Sequence, residues 1–319
     1  IPQLIIEVNE VISAKGEVEK MLTQQEIKAI INELTKGNFK SVAIALKNSY
    51  INPAHEQLLA TNIEAELGLP VTGSATLYPA IKYLTRTETA VVNAYLAPIM
   101  TTYLGNIAQH VSGENIRVMT SAGALSRLSS FNPKDSLLSG PAGGIVGAAN
   151  AAEAVGFEKV LTIDMGGTST DVARFAKGYD YVSELEVGEA HLFTKALAIE
   201  TVAAGGGSVC TLDEDRLTVG PESAGAFPGP SCYGNGGPLA ITDINLLTGR
   251  VDPESFGFPL DIKAANDSFL NVLHELKSLH ADTSRDNLLT GFLAIANQKM
   301  ADAVKKISIN KGFDPKEYS

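Results

Sequence analysis

The segment VLTIDMGGTSTDVARF, residues 160–175, decides how the rest of the chain is interpreted. A run of β-forming residues stops at Asp164, turns through Gly166 and Gly167, and resumes near Thr170. The pattern predicts a β-hairpin with a glycine tip. Because adjacent glycines remove side chains from the turn, the backbone N–H groups there can point at an anion such as a phosphate.

Polar side chains around this turn could take part in the same chemistry. Thr168, Ser169 and Thr170 offer hydroxyl donors, and Asp164 stands where the first strand ends. An aspartate there can hold Mg²⁺ through water or orient an attacking water. A simpler interpretation is that the glycines only make the turn, with Asp164 and Asp171 as local caps.

Outside this segment, the chain alternates between strand and helix patterns and indicates an α/β fold. Residues 1–80 contain LIIEVNEVIS, TQQEIKAIINELTKG, SVAIALK, PAHEQLLATNIEAELG and VTGSAT in that order. A long helix is expected over 85–110 and a Gly- and Ala-rich helix over 139–156. Further strands are expected over 181–202, and two closing helices over 264–280 and 286–310.

Composition narrows the function classes. The 319 residues carry a formal net charge of −11, which repels a nucleic-acid backbone and argues against nucleic acid as a partner. Polar residues interrupt the apolar runs before they reach the roughly 20 residues of a membrane-spanning helix. Cys210 and Cys232 have no CxxC spacing and are too few for a disulfide framework, which fits a reducing cytoplasm.

Several other residues have two interpretations each. His55 and Glu56 are either a ligand pair or the start of a helix, and adjacent helical residues point about 100° apart, which favours the helix start. Cys232 is either a nucleophile or a structural thiol, and no histidine partner is evident for it. Asp243 either faces a metal or caps the turn that follows it. The loop over 219–237 is either a substrate lid or a rigid structural wrap.

The order of these segments resembles the actin, sugar-kinase and heat-shock-chaperone ATPase superfamily. A Gly- and Ala-rich helix, a strand, the glycine hairpin and a second strand are similar to its connect-one and phosphate-two segments. The resemblance implies ATP and Mg²⁺ as cofactors, with Asp164 as the catalytic residue and metal ligand. It also implies a nucleotide site in which the loop AAGGGS, 203–208, joins the hairpin; the residues are Gly166, Gly167, Thr168, Ser169, Thr170, Asp171, Gly205, Gly206, Gly207 and Ser208.

Further motifs narrow the resemblance to the hydantoinase A and 5-oxoprolinase family. They run through nearly the whole chain in the order NSYINPAHE (48–56), TRTETAVVNAYLAPIM (85–100), SGPAGG (139–144), DMGGTSTDV (164–172), AGGGS (204–208), VGPESAGAFPGPSCYGNGG (219–237) and TDINLLTGR (242–250). The fold implied is that of actin-like, ribonuclease H-like lobes. Residues 1–157 would form an incomplete first lobe with connecting helices, and 158–319 the second lobe with the phosphate-binding hairpin.

This resemblance implies ATP-dependent hydrolysis of a cyclic amide, a hydantoin or 5-oxoproline, through phosphorylation of the amide oxygen. It implies a partner subunit or domain of the family's B type and leaves homo-oligomers open. Two rivals remain. Acetone carboxylases share these motifs and would apply the same phosphorylation to an enolate. A nucleotide-regulated binding module of actin or chaperone type would use ATP for lobe closure only.

The two ends of the sequence suggest a segment of a longer chain. The first residues, IPQLIIEV, already have an extended pattern, and the last, NKGFDPKEYS, follow a helix and its stop signal. The family pattern implies a phosphate-one hairpin before Ile1 and an adenosine loop after Ser319. Because such a site needs donors from both hairpins, we expect residues 1–319 alone not to turn over ATP.

Overall fold

A computed structural model describes residues 2–319 of the chain, apart from the side chain of Glu114. Within this range no helix combines the length and the apolar character needed to cross a bilayer. The strands are β1 (Val11–Ile12), β2 (Val18–Lys20), β3 (Val42–Ile44), β4 (Val71–Gly73), β5 (Arg117–Met119), β6 (Leu125–Arg127), β7 (Lys159–Met165), β8 (Thr170–Ala176), β9 (Tyr181–Val187), β10 (Ala190–Leu197), β11 (Ile199–Val202), β12 (Ser208–Asp213) and β13 (Arg216–Ser223). The helices are α1 (Gln24–Leu34), α2 (Ala54–Leu67), α3 (Ser74–Leu77), α4 (Tyr83–Ala108), α5 (Ser139–Ala154), α6 (Ile241–Leu247), α7 (Ile262–Leu279) and α8 (Arg285–Ile307).

The chain divides into two compact units. Unit 1 contains the residues up to Gly143 together with 181–197, and unit 2 contains 144–180 and 198–319. The β9–β10 hairpin therefore interrupts the sequence of unit 2 and belongs to unit 1. The predicted boundary between nucleotide-binding lobes after residue 157 remains a prediction.

Unit 1 contains the predicted alternation of strands and helices. β3 and β4 pair in parallel, and the helices α1 and α2 supply the core residues Ile27, Leu59 and Ile63, each 1 % exposed. The strand expected over LIIEVNEVIS is reduced to Val11–Ile12. Upstream of it, Ile6 and Val8 pack against the core but belong to no strand.

The long helix α4 of unit 1 forms close to its predicted position. It extends from Tyr83 to Ala108, whereas the sequence predicted 85–110. The β10 strand packs against it, and the Phe193 N–H donates to the Thr89 hydroxyl at 2.8 Å. Tyr78 stacks on Phe193 with ring centroids 4.9 Å apart. These contacts tie the β9–β10 hairpin to residues about 100 positions earlier in the chain.

The centre of unit 2 is an antiparallel sheet with strand order β11-β8-β7. In the β7–β8 pair, Met165 faces Thr170 and Asp164 faces Asp171, which confirms the predicted hairpin. One face of the sheet packs on α8 through Val172, Ala303 and Ile307, all buried. The hairpin tip is thus the free end of a sheet that α8 supports.

A second core in unit 2 lies among α6, α7, α8 and the β12–β13 hairpin. Its largest members, Phe269 and Phe292, are fully buried, and each contributes about 1.5–3 kcal/mol through burial. α7 and α8 begin at side-chain caps, where Asp261 accepts from the Ala264 N–H at 2.9 Å and Ser284 from the Asn287 N–H at 3.2 Å. Both closing helices begin and end within about three residues of their predicted limits.

Candidate functional site

The hairpin tip comprises residues 166–169, between β7 and β8. The Gly166 N–H donates to the Ser169 carbonyl at 2.9 Å and closes the turn. Across residues 2–319 no protein acceptor lies within hydrogen-bond range of the N–H groups of Gly167, Thr168 or Ser169. Gly167 and Thr168 are also exposed. The tip therefore offers consecutive free amides, the arrangement that forms an anion-binding nest. The amide of Gly166 is not among them.

The second glycine loop, residues 205–208, lies directly behind this tip. The Gly206 N–H donates to the Gly166 carbonyl at 3.0 Å, and the Gly207 N–H donates to the Gly167 carbonyl at 2.6 Å. A methyl group placed on Gly205 would lie 2.7 Å from the carbonyl carbon of Gly167, so no side chain fits there. The loop thus holds the two tip carbonyls and leaves the tip amides facing outward.

Contacts within the protein occupy several of the predicted nucleotide-binding groups. The Thr170 hydroxyl donates to the Ala204 carbonyl at 2.5 Å, and the Ser208 hydroxyl accepts from the Gly205 N–H at 2.8 Å. The Asp171 carboxylate accepts from the Thr201 hydroxyl at 2.6 Å. These contacts position the hairpin, and direct binding of nucleotide by the same groups remains a prediction.

Asp164 differs from those residues because its carboxylate is exposed. No hydrogen-bond donor among residues 2–319 contacts it. Its side chain shares a sheet face with that of Asp171, directly opposite in the ladder. A methyl group on Gly144 of α5 would lie 3.3 Å from a carboxylate oxygen of Asp164, so the helix leaves this oxygen clear.

These residues fit a magnesium ion that keeps most of its waters. Mg²⁺ commonly takes one or two carboxylates, several waters and the oxygens of a bound phosphate. Asp164 provides a free carboxylate, and a cation beside it would offset its repulsion with Asp171. In the described part of the chain, no three His, Cys, Asp or Glu side chains converge, so the protein's own share of such a site would be small.

A cavity of about 510 Å³ opens beside the hairpin tip, entirely within unit 2. It is lined by Gly167, Thr168, Gly225, Ala226, Tyr233, Asn235 and Phe258. The loop over 219–237 thus forms one side of the cavity. The other side includes the tip residues with free amides, so a molecule in the cavity would lie next to an anion held there.

Asp243 holds that loop in place. Its buried carboxylate accepts from the N–H groups of Ser231 at 3.1 Å, Cys232 at 2.7 Å and Ala240 at 2.8 Å. The contact with Ala240 caps α6, as the sequence favoured. The other two contacts fix the middle of the loop, which sequence reasoning missed because the atoms concerned are 11 and 12 residues away.

Both thiols are inaccessible. Cys210 and Cys232 are buried, and burial raises the pKa of each thiol far above its usual range. A protonated thiol without access to solvent is a poor nucleophile, so the interpretation of Cys232 as a structural residue is the one the geometry supports.

Unit 1 contains a buried ionic group that we call the charged cluster, formed by Arg86, Glu56, His55 and Glu10. The guanidinium of Arg86 lies 3.6 Å from the Glu56 carboxylate, and neither side chain is exposed. Burial lowers the pKa of Arg86, and the negative charge of Glu56 opposes that shift. His55 contacts Glu10 through Nδ1 at 2.6 Å and not Glu56. The adjacent His55 and Glu56 therefore have different partners and do not form a ligand pair.

Every polar contact of Glu56 serves to join segments of unit 1. Its carboxylate accepts from the Leu46 N–H, the hydroxyls of Ser49 and Ser74, and the Ala75 N–H at 2.7–2.9 Å. Sequence reasoning missed Arg86 as the partner. The one available signal is an arginine in the first turn of the predicted helix, just before the apolar stretch that begins at Ala90.

The chain matches the Hydantoinase/oxoprolinase family over residues 86–319 and the Hydantoinase/oxoprolinase N-terminal region over residues 1–67. It is 36 % identical over 314 residues to a 5-oxoprolinase of Saccharomyces cerevisiae, with 92 % of this chain and 24 % of that protein covered. It is 32 % identical over 317 residues to the caprolactamase subunit alpha of Pseudomonas jessenii, with 93 % and 44 % covered. The chain therefore spans about a quarter of the length of the first relative and less than half of the second.

Solved structures show the same fold. The ATP-dependent caprolactamase from Pseudomonas jessenii superposes with a TM-score of 0.79 at 30 % identity, covering 98 % of this chain and 46 % of that one. A nucleotide-free acetone carboxylase superposes with a TM-score of 0.81 at 24 % identity, covering 98 % and 46 %, and shows the fold alone. The mixed α/β architecture expected from the sequence is thus confirmed. Together with the family matches, these relatives place the chain in the hydantoinase/oxoprolinase family.

Proposed function

We propose that this chain forms the phosphoryl-binding part of an ATP-dependent enzyme that hydrolyses a cyclic amide of the hydantoin or 5-oxoproline type. The observation that supports it is the row of free amides at Gly167, Thr168 and Ser169 beside the unpartnered carboxylate of Asp164. An actin-like lobe in unit 2 would present this hairpin to the nucleotide. The names of the relatives above 30 % identity, 5-oxoprolinase and caprolactamase, favour a cyclic amide over a ketone.

The reaction gives each residue a defined task. The amide oxygen displaces ADP from the γ-phosphorus, and water adds to the ring carbon. The C–N bond then breaks with a proton passing to nitrogen, and a second water releases phosphate. The tip amides would stabilise negative charge on the phosphoryl oxygens, where preorganised donors act most strongly. Asp164 would hold Mg²⁺ through water and position the transferring group.

The backing loop gives the tip its rigidity. Because Gly206 and Gly207 bind both tip carbonyls, the peptide planes of the tip are fixed before a ligand arrives. Fixed dipoles need no reorganisation during phosphoryl transfer, which is the main advantage of a preorganised site. A B-type partner subunit would complete the site for the attack of water, and we place the enzyme in the cytoplasm.

The test is Asp164→Asn in the full-length protein with its partner subunit. We expect lactam-dependent phosphate release to fall at least about 100-fold while circular dichroism stays unchanged, because the charge that holds the cation is removed. Asp213→Asn makes the same change at an exposed position at the end of β12 and should leave turnover unaffected. Near-normal turnover in Asp164→Asn would rule out the assigned role.

A further inference from the structure

We propose that the cavity beside the hairpin tip holds the ring of the cyclic amide, with Asn235 accepting a hydrogen bond from the ring N–H. This inference rests on the proposed function, because it takes the phosphoryl group to be at the tip amides. Gly167 and Thr168 belong both to the tip and to the cavity lining. A ring in the cavity is therefore next to the group that its oxygen must attack.

The absence of charged side chains in the lining favours a neutral ring over a triphosphate as the occupant of the cavity. None of the residues that line the cavity is Lys, Arg, Asp or Glu. Away from the tip amides, the lining offers no charged group to a triphosphate, and removing its charges from water there would cost several kcal/mol per ion. A neutral ring carries no such penalty. A carboxylate on the ring, as in 5-oxoproline, would have to stay at the open mouth of the cavity in water.

Part of the cavity lining is aromatic. Tyr233 and Phe258 meet edge to face with ring centroids 4.9 Å apart, and Phe256 packs edge to face on Phe258 at 5.1 Å. A small planar ring can bury its apolar edge against such a wall. The volume of about 510 Å³ lies in the range of small-molecule sites, roughly 300–1,000 Å³, and leaves space for rings larger than five members.

Asn235 supplies a directional contact. Its Nδ2 donates to the Pro228 carbonyl at 3.3 Å, which orients the amide group. Across residues 2–319 no donor contacts its Oδ1, so this oxygen is available as an acceptor. Small rings hold their amide cis, with the N–H and C=O side by side, whereas open-chain amides are trans. When the N–H of a ring amide binds this acceptor, its C=O lies on the same side of the C–N bond and its direction is set. The C=O of an open-chain amide would point the other way.

The loop that carries these residues is fixed before a ligand binds. Asp243 ties the N–H groups of Ser231 and Cys232, immediately before Tyr233. A preformed wall loses little conformational freedom on binding, which favours affinity for a small ligand with few contacts.

The experiment compares Asn235→Ala with the wild type in the full-length enzyme and its partner subunit, using 5-oxoproline, hydantoin and caprolactam as substrates. We expect KM for the substrate that is turned over to rise at least tenfold, with KM for ATP unchanged within twofold. Asn106→Ala, which removes an exposed asparagine of α4, is the matched control and should change neither constant.

A second variant, Ala226→Leu, fills part of the cavity from an exposed position and does not disturb the core. It should raise KM for a seven-membered lactam more than KM for a five-membered one. An equal effect on both rings, or no effect on either, would overturn the placement of the ring.

The outcomes separate this inference from the proposed function. If Asp164→Asn abolishes turnover while Asn235→Ala leaves KM for the lactam unchanged, the ring lies elsewhere and only the cavity assignment fails. If Asn235→Ala raises KM for ATP instead, the cavity holds the nucleotide base, which also overturns the assignment. Normal turnover in Asp164→Asn would remove the proposed function itself.

Discussion

The charged cluster of unit 1 and the hairpin tip of unit 2 both contain polar groups from motifs of the family. They differ in whether the protein itself supplies hydrogen-bond partners for those groups. In the cluster, Glu56 and Arg86 are fully buried, and Glu56 accepts hydrogen bonds from two separate segments, residues 46–49 and 74–75. At the tip, Gly167 and Thr168 are exposed and their amides have no protein acceptor among residues 2–319. The satisfied carboxylate of Glu56 holds unit 1 together, although Arg86 Nε and His55 Nε2 are buried without a partner, whereas the exposed amides of the tip are available for a ligand.

The largest expected effect is on the stability of unit 1. Arg86→Met leaves the buried carboxylate of Glu56 without its counter-charge, which should cost about 3–5 kcal/mol. Hydrogen exchange of the amides of α2 measures this loss locally, whichever way unit 2 behaves.

The control for that variant is Lys82→Met, which removes an ion pair with Glu184 that is mostly solvent-exposed. Such a pair contributes at most about 1 kcal/mol. If both variants exchange equally fast, the cluster stabilises unit 1 no more than a surface pair does, and the comparison between cluster and tip breaks down.

A pair of identical glycine substitutions sharpens the comparison at the tip. Gly205→Ala forces a methyl group against the backbone of Gly167 and should cost about 1–3 kcal/mol, detected as faster exchange of β8 amides. Gly167→Ala meets no atom within 4 Å and should change stability by less than about 0.5 kcal/mol.

In ligand binding, by contrast, Gly167→Ala should have a clear effect although it costs almost no stability. The methyl group of Gly167→Ala occupies the space assigned to the phosphoryl group, so KM for ATP should rise in the full-length enzyme although the fold is intact. If KM for ATP is unchanged, the open side of the tip is not where the phosphate binds.

The last expected effect concerns the buried thiols, which resemble the cluster in being closed to solvent. Their pKa values are raised in the folded state, while in the unfolded chain they titrate near about 8.5. Their contribution to stability is therefore complete below about pH 8.5 and is lost as the pH rises, by up to about 1.4 kcal/mol per pH unit for each thiol.

Urea unfolding between pH 8 and pH 9.5 checks this expectation. The double variant Cys210→Ala, Cys232→Ala removes both titrations and should lose less stability over that interval than the wild type. Equal losses in the two proteins would mean that the thiols have the same pKa in the folded and the unfolded chain. Their classification as closed residues would then be wrong.

How far the sequence predicts the structure depends on the separation of the interacting residues. The hairpin at Gly166 and Gly167 was predicted correctly because strand, turn and strand are adjacent in sequence. The ends of α7 and α8 were also close to prediction because their caps lie within three residues. These signals depend on residues that are close in sequence, so tertiary packing seldom changes the structure that they predict.

Interactions between distant segments could not be predicted. Arg86 donates to the Ser49 hydroxyl and the Leu46 carbonyl, 37 and 40 residues away in sequence. Asp243 accepts from the Cys232 N–H in the 219–237 loop, 11 residues before it. The sequence showed that the Gly205–Ser208 segment is rich in glycine, but not that its N–H groups would bind the carbonyls of the tip. A glycine chosen for turning and one chosen for close approach look the same in sequence.

The membership of the β9–β10 hairpin in unit 1 has a consequence for biosynthesis. A ribosome delivers the chain from its N-terminus, and domains generally fold as they emerge. Unit 1 receives Phe193, which stacks on Tyr78 and binds Thr89, only after the β7–β8 hairpin of unit 2 has been made. Unit 1 is therefore completed only after residues 144–180 of unit 2 have been made, and no single cut in the gene separates the two units.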